Sequence, residues 1–177
     1  MLVVEEEPDE PGARPPHRAF LSDRRSRFTL IAAIVAIVVT GGVMLIERRM
    51  AATATDAQAD RPAQVALGRT LYRLHCSYCH GGDREGHDDW RPETPVASGL
   101  APALDERSPA VDRSDRQIFE RIKFGGQPFL PAGARSQMPA FEFNLTDAQV
   151  WALVAYLKNR WPEEVLDRHE LANRGGP

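Results

Sequence analysis

The chain has 177 residues and a formal net charge of −3, so neither its size nor its charge supports more than one modest folded domain or a nucleic-acid partner, which would call for a basic stripe. The near-neutral balance leaves a protein docking surface of either sign open.

The first 27 residues open with Glu5-Glu6-Glu7-Pro8-Asp9-Glu10 and continue into Pro15-Pro16. That composition cannot bury a core and predicts a disordered cytoplasmic tail over residues 1–27. Residues 28–46, from Phe28 to Ile46, carry no charge. As a helix they reach about 28 Å, close to the hydrocarbon thickness of a bilayer. They predict one transmembrane anchor in a lipid bilayer. A cleaved signal peptide is the competing reading, because Ala52-Thr53-Ala54 has small residues suited to cleavage, but the apolar stretch is long for a signal and Glu47-Arg48-Arg49 intervenes. Arg18, Arg24, Arg25 and Arg27 before the helix outweigh Arg48 and Arg49 after it. The positive-inside bias therefore puts the N-terminus in the cytoplasm and everything after residue 46 on the periplasmic side of a bacterial cytoplasmic membrane. Residues 47–62, rich in Ala, Thr, Asp and Gln, read as a flexible tether.

Residues 63–166 form the expected domain, large enough for a single core. From Gln64 to Leu74 a mostly apolar face made by Val65, Leu67, Leu71 and Tyr72 predicts the first helix. Gly68 inside it costs about 1 kcal/mol relative to Ala, which argues that another backbone comes close there. The helix runs into Cys76-Ser77-Tyr78-Cys79-His80, which holds both cysteines of the chain. C-x-x-C-H is the attachment pattern for c-type haem. Two thiols three positions apart reach the two vinyl groups of one porphyrin, and the next residue brings its imidazole to the iron. A structural zinc site would need further ligands that no other cysteine supplies. A thioredoxin-like pair would need a preceding strand, and none is indicated. A disulfide in an oxidising compartment would leave His80 without a role.

Ser114 with Gln117 three places on opens a short helix through Ile118, Phe119 and Ile122 that ends at Gly125-Gly126. The segments 81–112 and 125–143 are rich in Pro, Gly, Asp and Ser and read as long loops of the functional kind. The acidic run Asp83 to Asp89 reads as a solvated loop. Met138, followed by Pro139, is the one methionine of the domain and is the candidate sixth ligand of the iron, with His87 in reserve. Thr146 and Gln149 make a second capping box, opening a last helix through Val150, Trp151, Leu153, Val154, Tyr156 and Leu157 before Pro162. Arg91 and Arg135 are weighed as contacts to haem propionates but read better as surface arginines. Residues 167–177 are expected to fray.

Taken together, Gly68, Leu71-Tyr72, Cys76 to Gly81, Gly99 to Leu104, Ile122 with Gly125-Gly126, Met138 to Phe141, Leu145 to Asp147 and Val154 to Lys158 resemble the class I cytochrome c family over about residues 64–161. Gly86 to Arg91 and Trp151 to Pro162 look like a bacterial subgroup of membrane-anchored, single-haem cytochromes. The resemblance implies an all-α fold wrapped around one covalently attached haem c, with the first and last helices crossing near Gly68 and Trp151. It also implies that the Pro102 carbonyl accepts a hydrogen bond from the second nitrogen of His80, which would fix the ring and raise its basicity. The segment Gln127 to Gly133 is enlarged relative to the pattern, and Phe129 and Leu130 there either cover the ring or face a partner. The expected site is Cys76 and Cys79 as anchors, His80 and Met138 as iron ligands, and Pro102 behind His80. The implied function is electron transfer rather than catalysis. Its expected partners are membrane redox complexes, a quinol-oxidising cytochrome complex on one side and a terminal oxidase or other acceptor on the other. A fixed haem relay subunit of a larger membrane oxidoreductase is the alternative, favoured slightly by Gly41-Gly42 in the anchor. A gas sensor or enzyme with a labile sixth position is a third reading.

Overall fold

A computed structural model describes residues 24–95 and 98–175, and among these residues the chain is helical without strands. The expected disordered tail lies outside the described residues up to residue 23, while Arg24 to Arg27 already belong to a helix. The chain divides into two units, residues 1–44 and 45–177.

Helix α1, Arg24–Ala52, is the one described helix long and apolar enough to cross a membrane. It exceeds the uncharged stretch at both ends, taking in Arg24-Arg25 and Arg48-Arg49. Its apolar side chains, among them Ile37, Val38 and Leu45, are exposed. That distribution suits a lipid environment and lacks the one-sided stripe of a helix packed on a soluble core.

The second unit is built on α5, Asp147–Lys158, whose residues from Ala152 to Lys158 are all buried. Thr146 caps it, its hydroxyl accepting from the Gln149 N–H while the Gln149 side chain accepts from the Thr146 N–H. Helix α2, Pro62–His75, packs against α5. Gly68 allows this: a Cβ there would collide with the Ala152 carbonyl and the Tyr156 Cβ. Helix α4, Asp115–Phe124, also packs on α5, opened by the Ser114–Gln117 capping box and ended at Gly125 with φ +76°. Phe119 of α4 stacks on Trp151 of α5 with ring centroids 4.4 Å apart, and Tyr72 of α2 meets Tyr156 at 5.3 Å. Helix α3, Ser77–His80, is a single turn that follows α2 after Cys76.

Two segments expected to be loose are ordered. The supposed tether is folded onto the second unit. Gln64, fully buried on α2, donates through Nε2 to the Asp56 carbonyl at 2.7 Å and accepts from the Gln58 N–H at 2.9 Å. Asn159 donates to the Ala59 carbonyl at 2.8 Å, Ala57 packs on the core and Ala51 is buried. The Ala, Thr and Gln composition that reads as a linker is here a strap held by side-chain amides eight and a hundred residues away.

The expected fraying is likewise corrected over residues 167–175, because Glu163–Gly175 forms helix α6, while residues 176 and 177 lie outside the described residues. His169 on α6 is fully buried, its Nδ1 3.1 Å from the Val111 carbonyl oxygen and its Nε2 2.7 Å from Asp115 Oδ1. Asp115 also takes the Lys158 ammonium at 2.7 Å, and its N–H donates to Asn173. The Trp161 ring meets His169 edge-on at 5.0 Å. This polar latch docks the last helix together with Val165 and Leu166, which pack on the core.

Candidate haem site

The motif turn is fixed by its own backbone before any group enters it. Cys76 caps α2, donating to the Tyr72 carbonyl at 2.8 Å, and then accepts at its own carbonyl from the N–H groups of Cys79 at 3.2 Å and His80 at 2.9 Å. Tyr72, its phenol kept neutral by burial, donates to the Gly81 carbonyl at 2.7 Å and pins the end of the turn. Cys76, Cys79 and His80 thereby line one wall of a cavity of about 650 Å³, within the size range of cofactor sites. Burial and then the neighbouring Cys79 push the Cys76 thiol up to about 12, so it stays a neutral thiol.

His80 is buried, and its Nδ1 lies 2.8 Å from the Pro102 carbonyl oxygen. A carbonyl only accepts, so the proton sits on Nδ1 and Nε2 keeps its lone pair. Burial lowers the His80 pKa and outweighs the opposing effect of the hydrogen bond that His80 donates to the Pro102 carbonyl, keeping the ring in the neutral form that binds metals. The carbonyl reaches His80 because the loop carrying it crosses Gly86, whose N–H donates to the His80 carbonyl at 2.8 Å. A Cβ on Gly86, at φ +83°, would come within 2.5 Å of the Ala103 nitrogen.

Met138 lines the same cavity from the loop between α4 and α5. A 3₁₀ turn, Gln127–Phe129, starts that loop. The Gln127 amide then spans it, accepting from the Ser136 N–H and donating to the Ala134 carbonyl, each at 3.0 Å. Met138 is held on both sides: its N–H donates to Ser136 Oγ at 3.1 Å and its carbonyl accepts from Gly126 at 3.1 Å. His87 also lines the cavity but is exposed, its Nδ1 accepting from the Asp89 N–H at 3.2 Å. Of the enlarged loop, Leu130 faces the cavity, while the Phe129 ring lies beneath the Arg121 guanidinium at 4.7 Å.

All five candidate residues thus stand around one cavity. The chain fits a haem by the chemistry of its donor set: two thiols and a neutral, oriented imidazole on one turn, and a thioether in the same walls. Sequence reasoning missed two kinds of participant. Trp90 is buried against the cavity, where a tryptophan beside an acidic loop gives no such signal. Arg84, at φ +70°, is outside the cavity wall, buried over the Tyr156 ring with Nη1 reaching the Leu157 carbonyl at 3.4 Å. Arg113 and Arg121 line the cavity, whereas Arg91 turns its Nη1 to the Asp88 and Trp90 carbonyls.

A helical fold that brings a C-x-x-C-H turn and a methionine to one cavity defines a c-type haem protein. The Cytochrome c family model matches residues 65–161, more than half of the chain, and the chain belongs to that family, whose members carry covalently attached haem c and transfer electrons. The chain is also 31% identical, over 111 residues, to the quinohemoprotein alcohol dehydrogenase ADH IIB of Pseudomonas putida. That match takes in 63% of this chain but only 13% of the relative's length. A solved structure, cytochrome CL of the marine methylotroph Methylophaga aminisulfidivorans MPT, aligns with 73% of this chain and 76% of its own, at a TM-score of 0.46 and 22% identity.

Proposed function

We propose that this cytochrome is a membrane-anchored, single-haem electron carrier working on the periplasmic side of a bacterial cytoplasmic membrane. The observation that carries the reading is the meeting of Cys76, Cys79, His80 and Met138 in one cavity. Bound there, haem supplies one-electron exchange at its edge. Cys76 and Cys79 hold it covalently. His80, oriented by Pro102, would offer the iron a neutral nitrogen, and Met138 would offer the thioether that raises the potential. With both side chains engaged, the group would exchange electrons rather than bind oxygen or a substrate. Trp90, Leu100 and Ile122 exclude water from the cavity wall. Helix α1 acts as the uncleaved anchor, keeping the haem domain among membrane redox complexes, a quinol-oxidising cytochrome complex as donor and a terminal oxidase as acceptor, at raised effective concentration.

The test is an optical spectrum of the full chain, oxidised and reduced, with carbon monoxide added, beside Met138→Ala. The wild type is expected to show low-spin covalent haem that ignores the gas, and the variant to bind it. Ready binding by the wild type would remove Met138 as a ligand and favour a sensing or catalytic site.

A second reading, a fixed relay subunit, draws on the strap of residues 51–62, which is bonded to the haem domain through Asp56, Gln58 and Ala59. The relative's name adds a dehydrogenase to the classes of donor such a relay would serve. Sizing the protein in mild detergent separates the two: a carrier runs alone, a subunit runs with its complex.

A further inference from the structure

Two cations of the cavity wall have no part in anchoring or ligation. Arg113 lies just before the Ser114 cap of α4 and Arg121 lies within the helix, close enough that the charge of one acts on the other. Both are half-buried, and both line the large cavity as well as an adjoining groove with Asp112, Gln117, Glu120 and Phe129. Among the described residues, Arg121 Nε is buried without a hydrogen-bond partner. Arg113 donates from Nη1 to the Pro109 carbonyl at 2.5 Å.

The carboxylates of the groove are engaged elsewhere. Asp112 pairs with Arg168 at 3.2 Å, and Glu120 with Arg116 at 2.7 Å. Burial lowers the pKa of both arginines, and Arg113's charge lowers that of Arg121 further, while nearby Asp112 partly offsets the effect on Arg113. A pair of neighbouring, desolvated guanidiniums is unfavourable unless anions face it. Arg presents a planar fork that matches a carboxylate with two parallel hydrogen bonds.

We propose that Arg113 and Arg121 together hold the propionate carboxylates of the haem, at the end of the cavity that opens into the groove. The proposal rests on the haem reading of that cavity. It replaces Arg91 and Arg135, neither of which lines the cavity, as propionate contacts. The two positive charges neutralise the propionates where water is scarce, so they favour the reduced iron and shape the potential without touching the axial ligands.

The test uses the full holoprotein and compares wild type with Arg113→Gln, Arg121→Gln, the charge-keeping Arg113→Lys and Arg121→Lys, and Arg160→Gln at an exposed position. Each is read by its covalent-haem spectrum, by redox titration and by the redox difference infrared bands of the propionates. Each Gln variant is expected to keep the axial-ligand spectrum and shift the reduction equilibrium on the order of tenfold toward the oxidised form, about 59 mV for one electron. The propionate bands move with it. The Lys variants recover most of the potential but not the bands, since the ammonium lacks the fork, and Arg160→Gln changes neither. Unchanged potential and bands in the Gln variants, or loss of both in the Lys variants equal to that of the Gln variants, overturn the proposal. A wild-type chain that takes no covalent haem overturns the haem reading first, and the proposal with it.

Discussion

Asp115 shows how one side chain joins distant parts of the chain: it caps no helix, yet it bridges Lys158 of α5 and His169 of α6. Burial alone would raise its pKa, but hydrogen bonds from His169 and Lys158 outweigh this and lower it. A carboxylate depressed in the folded state adds stability above its unfolded value, near 4, and loses that contribution as pH falls through the folded one. Asp115→Asn is therefore expected to lower stability by about 2 kcal/mol at neutral pH, discounting the partner's full burial for the partly exposed carboxylate. The gap between variant and wild type should narrow as the pH falls below about 4, the unfolded value. Urea midpoints at neutral pH and below that value measure it, and a gap of constant size would show that the ionised carboxylate is not what matters. No local pattern announces this cluster. Asp115, Lys158 and His169 stand far apart in sequence, and each looks like an ordinary surface charge. The Cys76 to His80 turn was legible because its chemistry is contiguous, and the Met138 position because the domain has no second methionine. Arg84, Arg113 and Arg121 were not, since a buried arginine differs from an exposed one only in what the fold places around it.

At the scale of elements, capping boxes and a misplaced glycine carried most of the information. Ser114–Gln117 and Thr146–Gln149 begin helices where the sequence puts them, because a cap is a local bargain between side chain and backbone. Gly68 pointed to a close approach, and the crossing of α2 over α5 at Ala152 and Tyr156 is that approach. Gly68→Ala weighs two effects of opposite sign. Helix propensity favours Ala by about 1 kcal/mol. Forcing a methyl into the Ala152 carbonyl costs about 1–3 kcal/mol. The crossing is expected to win, and the denaturation midpoint of the holoprotein to fall. A midpoint that rises would mean that the helices can part without loss. Residues 51–62 and α6 were misread for one reason: small and polar residues look like a linker or a tail until buried amides and a buried imidazole at distant positions bind them.

For the whole molecule, the proposed anchoring rests on α1. Its apolar residues are exposed along its length, as a lipid-facing helix requires. The protein is expected to stay in the membrane pellet through high-salt washing and leave it in detergent, with peptides from residues 28–54 still present by mass spectrometry. Release by salt alone, or a mature chain that starts after Ala54, would make residues 28–46 a removed signal instead.

The cavity of about 650 Å³ reaches beyond electron transfer to the life history of the protein. Its walls carry the apolar side chains of Leu100, Ile118, Ile122, Leu153 and Leu157, and a domain of marginal stability gains from having such surface covered. A bound haem would therefore serve as core as well as cofactor, and attachment is expected to double as quality control: the haem-loaded chain should resist a protease longer than the same chain made without haem, and equal lifetimes would show that the domain closes without it.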